Sequence, residues 1–270
     1  MAYFRKTVLT AATMLALGVS GQSSALTIGG INVGSGPIVS LTDASAETIV
    51  TAAGQTLYGI GQITKINGVG YSGNELDFVY SATVSFISPD GGTIIFSAGT
   101  LDFYVNPVGT YDNVFLTAGS MANAQDILNN GTNWLNLVTT TVPTISPYNV
   151  GGAPGTGGFF GAGTNLAGTT PAGNGVGYMS VDTTGSGLAN SFFDTNQLVG
   201  PGGITYDFNF TSTFHVPESN PAWGPVLDGS TFSGRITVPE PGTLALLGLG
   251  LAGIGFRKRK PKAVATTTVA

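Results

Sequence analysis

Cysteine is absent from the chain, which excludes disulfides, thiol nucleophiles and thiolate metal sites. Histidine occurs once, at His215, so a Ser-His-Asp triad would have to be built on that residue. No G-x-S-x-G run accompanies it. A zinc site with one histidine and no cysteine would need three carboxylates. Charge is scarce too, at 9% of residues. Positive charge is nearly missing from residues 26–237, where Lys65 and Arg235 stand against thirteen acidic residues. Phosphate backbones are bound by clustered Lys and Arg, so a nucleic-acid partner is excluded. Such acidity keeps a protein soluble, and it attracts divalent cations or cationic polymers.

Glycine is abundant, with 42 residues in 270, and a glycine-rich chain makes poor helices. Residues 26–237 are long enough for one domain with a real core. Their pattern is that of strands. Residues 57–66 and 76–87 alternate, the second with Leu76, Phe78, Tyr80, Ala82, Val84 and Phe86 on one face. Asn67-Gly68 and Pro89-Asp90-Gly91-Gly92 are turn signals. Residues 93–97 and 101–105 continue an antiparallel meander with one dry face. Further strands are expected at 134–142, 176–181, 204–214 and 230–238. Residues 26–45 read as loop or edge strand. Met121, Ala124, Ile127 and Leu128 recur at helical spacing before Asn129-Asn130-Gly131, which predicts one short helix within 118–130. Residues 150–177 hold 11 glycines with Pro154 and Pro171, and read as a long loop. The expected class is all-β: an antiparallel β-sandwich or jelly-roll-like body with one short helix, plus a C-terminal transmembrane helix.

The search for chemistry yields little, and no catalytic residue is assigned. Paired carboxylates for glycoside hydrolysis need about 5–10 Å separation and a cleft, and nothing ties Glu75 and Asp77 to one. The weak calcium candidates are Glu75, Asp77 and Asp102, with Asn74 and Asn106 beside them. They are hard oxygen ligands near strand ends, without a D-x-[DN]-x-[DN]-G loop. Calcium is the one cofactor these donors would suit. A carbohydrate-binding module would use aromatics such as Trp134, Trp223 or Tyr104, although aromatic side chains more often fill a core.

The two ends carry the clearest signals. Arg5 and Lys6 precede an apolar stretch at 7–19, and Ser23-Ser24-Ala25 offers a cleavage site after Ala25, so residues 1–25 read as a signal peptide. At the other end stands Val238-Pro239-Glu240-Pro241-Gly242. Two prolines fix φ and remove two donors, making Pro239, Glu240 and Pro241 an extended peptide that joins neither helix nor sheet. Residues 244–256 have no polar side chain, and Arg257, Lys258, Arg259 and Lys260 follow as a membrane stop. A helix over 242–256 would rise about 22 Å at ~1.5 Å per residue. Against a bilayer core about 30 Å thick, that is marginal. Gly248, Gly250 and Gly253 fit G-x-G-x-x-G, but no βαβ unit surrounds them, so a dinucleotide site is rejected.

Pro-Glu-Pro, an apolar Leu/Gly helix and a basic cluster, in this order over 238–260, resemble the PEP-CTERM sorting signal. The resemblance implies a Gram-negative bacterium that exports polysaccharide. It also implies processing by exosortase, a membrane-embedded transpeptidase-like enzyme. The family usually ends just after the basic cluster, whereas residues 261–270 add a Thr-rich tail here. The body is loosely similar to flocculation-associated PEP-CTERM proteins at Leu57-Tyr58-Gly59, at 99–107 and at Ser191-Phe192-Phe193. The expected protein is therefore a non-enzymatic, exported surface or matrix protein. It would pass transiently through the inner membrane and then associate with exopolysaccharide in flocs or biofilm.

Overall fold

The structure is a computed structural model, and it describes residues 26–34, 38–70, 73–117, 124–143, 156–166, 172–214, 218–220, 224–226 and 232–237. The first half runs β1 (Leu26–Ile28), β2 (Ile31–Gly34), β3 (Ile38–Glu47), β4 (Thr56–Ile66), β5 (Val69–Gly70), β6 (Glu75–Ile87) and β7 (Thr93–Asn106), then helices α1 (Thr110–Thr117) and α2 (Gln125–Asn130). After these come β8 (Thr132–Thr139), β9 (Val142–Pro143), β10 (Thr156–Gly157), β11 (Phe159–Thr164), β12 (Ala172–Val181) and α3 (Asn190–Phe193). The chain closes with β13 (Leu198–Val199), β14 (Thr205–Tyr206), β15 (Phe208–Phe214), β16 (Glu218–Asn220), β17 (Gly224–Val226) and β18 (Phe232–Thr237).

Turn chemistry sets the hairpins. Asn67 and Gly68 both take positive φ, 52° and 76°, which is the two-residue turn that keeps β4 and β5 in register as Ile66 opposite Val69. Between β6 and β7, the Asp90 carboxylate accepts from Gly92 N at 3.0 Å, and the Ser88 hydroxyl accepts from Thr93 N at 2.8 Å. These side chains satisfy backbone donors that the ladder cannot reach.

The main sheet is antiparallel and closes on itself. From β3 it passes to β4, β6 and β7. β7 then divides its free edge: its first residues pair with β11, with Phe96 opposite Phe159, and its later ones pair with β8, with Leu101 opposite Leu137. β12 pairs with both β11 and β8, then with β15, which pairs with β18. β18 returns to β3, with Ile236 opposite Val39. The all-β antiparallel body is thus a barrel in which β8 and β11 share one strand position. Closure removes the unpaired edges that an open sheet would expose to other chains.

The core is aromatic and continuous. Phe103 touches Phe78, Trp134 and Phe208 at ring separations of 5.6, 6.3 and 6.2 Å, and all four side chains are fully buried. Each buried ring contributes about 1.5–3 kcal/mol of transfer free energy, so a body without disulfides has an alternative source of stability. The β1–β2 hairpin adds Ile28, Ile31 and Val33 to this core. Outside the barrel, α1 and α2 place Tyr111, Val114, Ala124 and Ile127 over Ile60, Val79 and Tyr104. The meander is therefore buried on both faces along this stretch, not on one.

Three local expectations are corrected. Residues 150–177 are not all loop, because β10, β11 and most of β12 come from them. Glycine is tolerated in these strands because a ring from the next strand occupies the space a side chain would fill. The Phe210 ring lies over Gly177, Tyr80 over Gly59 and Phe78 over Gly61. Within 26–45, β1 and β2 are the edge strands of a two-stranded hairpin, as expected, but β3 is not at an edge, since it is flanked on both sides by β18 and β4. The helix expected within 118–130 begins only at Gln125, and α1 and α3 are additional. No helix among the described residues is long and apolar enough to cross a membrane. The expected signal peptide and transmembrane segment lie outside the described residues.

Candidate functional site

Barrel closure creates an interior pocket lined by Ser45, Glu47, Tyr80, Phe96, Phe159 and Phe210, among others. Its atom-free envelope is about 540 Å³, with the open mouth included. The floor is set by register. Glu47 of β3 stands opposite Gly59 of β4, which stands opposite Tyr80 of β6. Because Gly59 has no side chain, the Tyr80 ring lies across it, and its hydroxyl donates a hydrogen bond to Glu47 Oε2. A Cβ at Gly59 would fall inside that ring.

Glu47 is 5% exposed, and its second oxygen, Oε1, has no hydrogen-bond partner. Burial raises its pKa from 4.5 to about 7, and the Tyr80 hydroxyl pulls in the opposite direction. Leaving a buried acceptor unpaired costs about 1–3 kcal/mol. Sequence reading did not single out this pair. The available signal was an acid at the end of a strand, aligned with a glycine in the next strand and a tyrosine beyond it.

The calcium candidates lie on the opposite, outer face of the wall, near α1. Glu75 spends both oxygens on backbone donors: Oε1 accepts from Gly109 N at 2.6 Å and Oε2 from Tyr111 N at 2.9 Å, capping the start of α1. A carboxylate at a helix N-terminus meets unsatisfied donors and the positive end of the helix dipole. Asp102 accepts from the Asn136 amide at 2.6 Å, and burial raises its pKa. Asp77 is fully buried between β4 and β7. Burial, and then the negative charge of Glu75, push its pKa up to about 7. Asn106 and Gln62 pull it back, yet neither carboxylate oxygen receives a hydrogen bond of ordinary geometry. Glu75 and Asp77 are neighbours on one strand face, and Asp102 is turned to Asn136. Among the described residues no group of three or more His, Asp or Glu side chains is placed to hold a metal ion.

The aromatic candidates separate. Trp134 is fully buried, donates from Nε1 to Ile28 O at 2.8 Å and packs edge-on against Phe193. It is core and offers no glycan platform. Tyr104 is half-buried beneath the helices. Asn74 is exposed at the start of β6, and Asn106 is fully buried. Trp223 and His215 lie outside the described residues. An acid not singled out from the sequence, Asp207, is fully buried and anchors the base of the barrel. It accepts from Val181 N at 2.9 Å, from Thr195 N at 2.8 Å and from Asn196 N.

The body ends at β18. Thr237, its last residue, is buried, pairs with Ile38, and shares a 2.7 Å hydrogen bond with the Thr195 hydroxyl. Pro239, Glu240, Pro241 and the basic residues 257–260 lie outside the described residues. The chain divides just before them, into Met1–Val238 and Pro239–Ala270. The PEP-CTERM protein-sorting motif family matches residues 237–260. The match begins on Thr237, the last described residue of β18. No curated protein and no solved structure matches the chain.

Proposed function

We infer that the PEP-CTERM sorting motif marks this chain for export across the membrane toward the cell surface and for sorting by exosortase. We propose that the finished protein is a non-enzymatic surface or matrix component of a Gram-negative bacterium, helping to hold exopolysaccharide-bound cells in flocs or biofilm. The observation that carries this reading is the motif's position, directly after the strand that closes the barrel. Processing at or beyond Val238 leaves β18 paired on both edges, so the body keeps its fold when the signal goes. Support for a non-enzymatic role is the lack of cysteine and the single histidine. The acidic body suits cation-bridged contact with a polymer matrix.

Replacing Pro239, Glu240 and Pro241 together by alanine tests the sorting step. The precursor should accumulate in the inner-membrane fraction, and maturation unchanged from wild type overturns the assignment. Deleting the gene tests the matrix role separately. Cells should settle less and shed more polysaccharide, and unaltered flocs would remove that role while leaving sorting intact.

A further inference from the structure

We propose that the barrel interior binds a small primary ammonium compound with a compact apolar body, its nitrogen on Glu47 and its body against Phe96, Phe159 and Phe210. This inference is independent of how the chain is sorted.

Four observations converge on that ligand class. First, the two Glu47 oxygens are not equivalent: Oε2 is held by the Tyr80 hydroxyl, while Oε1 is buried and unpaired, on a residue that lines the pocket. The protein fixes the carboxylate and leaves one acceptor for a donor it does not itself supply. Second, among the described residues no Lys, Arg or His lines the pocket, and Glu47 and Tyr80 are the ionisable groups of the lining, so no cation there balances the carboxylate once it ionises. Third, the remaining walls are Leu57, Leu101, Val176 and the rings of Phe96, Phe159, Phe160 and Phe210, with Phe159 and Phe210 packed edge to face at 4.8 Å. Aromatic faces attract an ammonium group and also accept an apolar body. Fourth, thirteen acidic and two basic residues in the body draw cations toward it.

Other occupants fit less well. An anion would face the carboxylate. A divalent metal needs about six to eight oxygens, and the pocket offers one carboxylate, a phenol already used, and the hydroxyls of Ser45 and Ser212. Among the described residues the packed elements bring no other titratable group to the lining: β3 contributes Ser45 beside Glu47, β4 Leu57, β6 Tyr80, β7 Phe96 and Leu101, β11 Phe159 and Phe160, β12 Gly175 and Val176, and β15 Phe210 and Ser212.

Fluorine NMR on the full-length protein tests the proposal with 4-fluorobenzylamine. 4-Fluorobenzyl alcohol and 4-fluorotoluene serve as probes of the same body. At pH 8 the amine should bind at least tenfold tighter than either control. Glu47 titrates at about 7, so amine binding should weaken roughly tenfold from pH 8 to pH 6, while toluene binding stays level. Glu47→Gln should erase the preference for the amine and leave the toluene probe unaffected. Equal affinity for the three probes at pH 8 overturns the assignment, as does an amine preference that survives in Glu47→Gln. Should that variant fold poorly, the pH dependence of the wild type decides: an amine preference that does not fall between pH 8 and pH 6 overturns it.

Discussion

Replacing Glu47 by glutamine should make the protein more stable above neutral pH, and the gain should fade in acid. In the folded state burial raises the Glu47 pKa from 4.5 to about 7. A raised carboxyl pKa means that the folded state holds the proton more tightly than the unfolded chain. The contribution to stability is therefore fully present below about pH 4.5, falls as pH rises toward 7, and is lost above it. The shift of about 2.5 units corresponds to roughly 3 kcal/mol, at ~1.4 kcal/mol per unit. Glutamine has the same shape, keeps an oxygen for the Tyr80 hydroxyl and never ionises. Its amide nitrogen replaces Oε1 as an unpaired polar atom, so a cost of about 1–3 kcal/mol persists at every pH. That term is independent of pH, and the difference between wild type and variant isolates the titration. Urea unfolding of both proteins at pH 5, 6, 7 and 8 measures it. The stability of Glu47→Gln relative to wild type should rise by about 2–3 kcal/mol between pH 5 and pH 8. Asp77, raised likewise to about 7, tilts both proteins equally and cancels in the comparison. A difference that stays constant with pH refutes the argument, because it would mean that Glu47 ionises in the folded protein as it does in water.

Two further substitutions test the architecture. Asp207→Ala removes the acceptor for three backbone N–H groups near the barrel base and should destabilise by about 3 kcal/mol or more in thermal melts; a loss under about 0.5 kcal/mol would show that these donors are satisfied otherwise. Gly61→Val places a side chain where the Phe78 ring lies and should cost about 1–3 kcal/mol in urea unfolding, whereas Gly70→Val, facing open space, should change stability by less than about 0.5 kcal/mol.

Much of the β architecture is legible residue by residue. The alternation of 57–66 and 76–87 returns as β4 and β6, and Asn67-Gly68 returns as the positive-φ hairpin turn, because both signals are local. The glycine-rich stretch misled for a physical reason. Glycine is read as breaking strands when only its own conformational freedom is considered. In this barrel, rings from neighbouring strands cover Gly59, Gly61 and Gly177 and compensate for the missing side chains. Glu75 illustrates the same limit at the candidate site. Its chemistry suggested a metal, but α1, more than thirty residues later, brings two backbone donors to it.

The sequence by itself determined the class and the address: period-two patterning, turn dipeptides and the Pro-Glu-Pro, apolar and basic order at 238–260 act over a few residues, so they can be read without a fold. Only the tertiary structure decided that the sheet closes, that Trp134 is core, and that Glu47, Gly59 and Tyr80 meet across three strands. Those outcomes depend on register and on contacts between distant segments, in which a one-residue slip would turn every side chain to the other face.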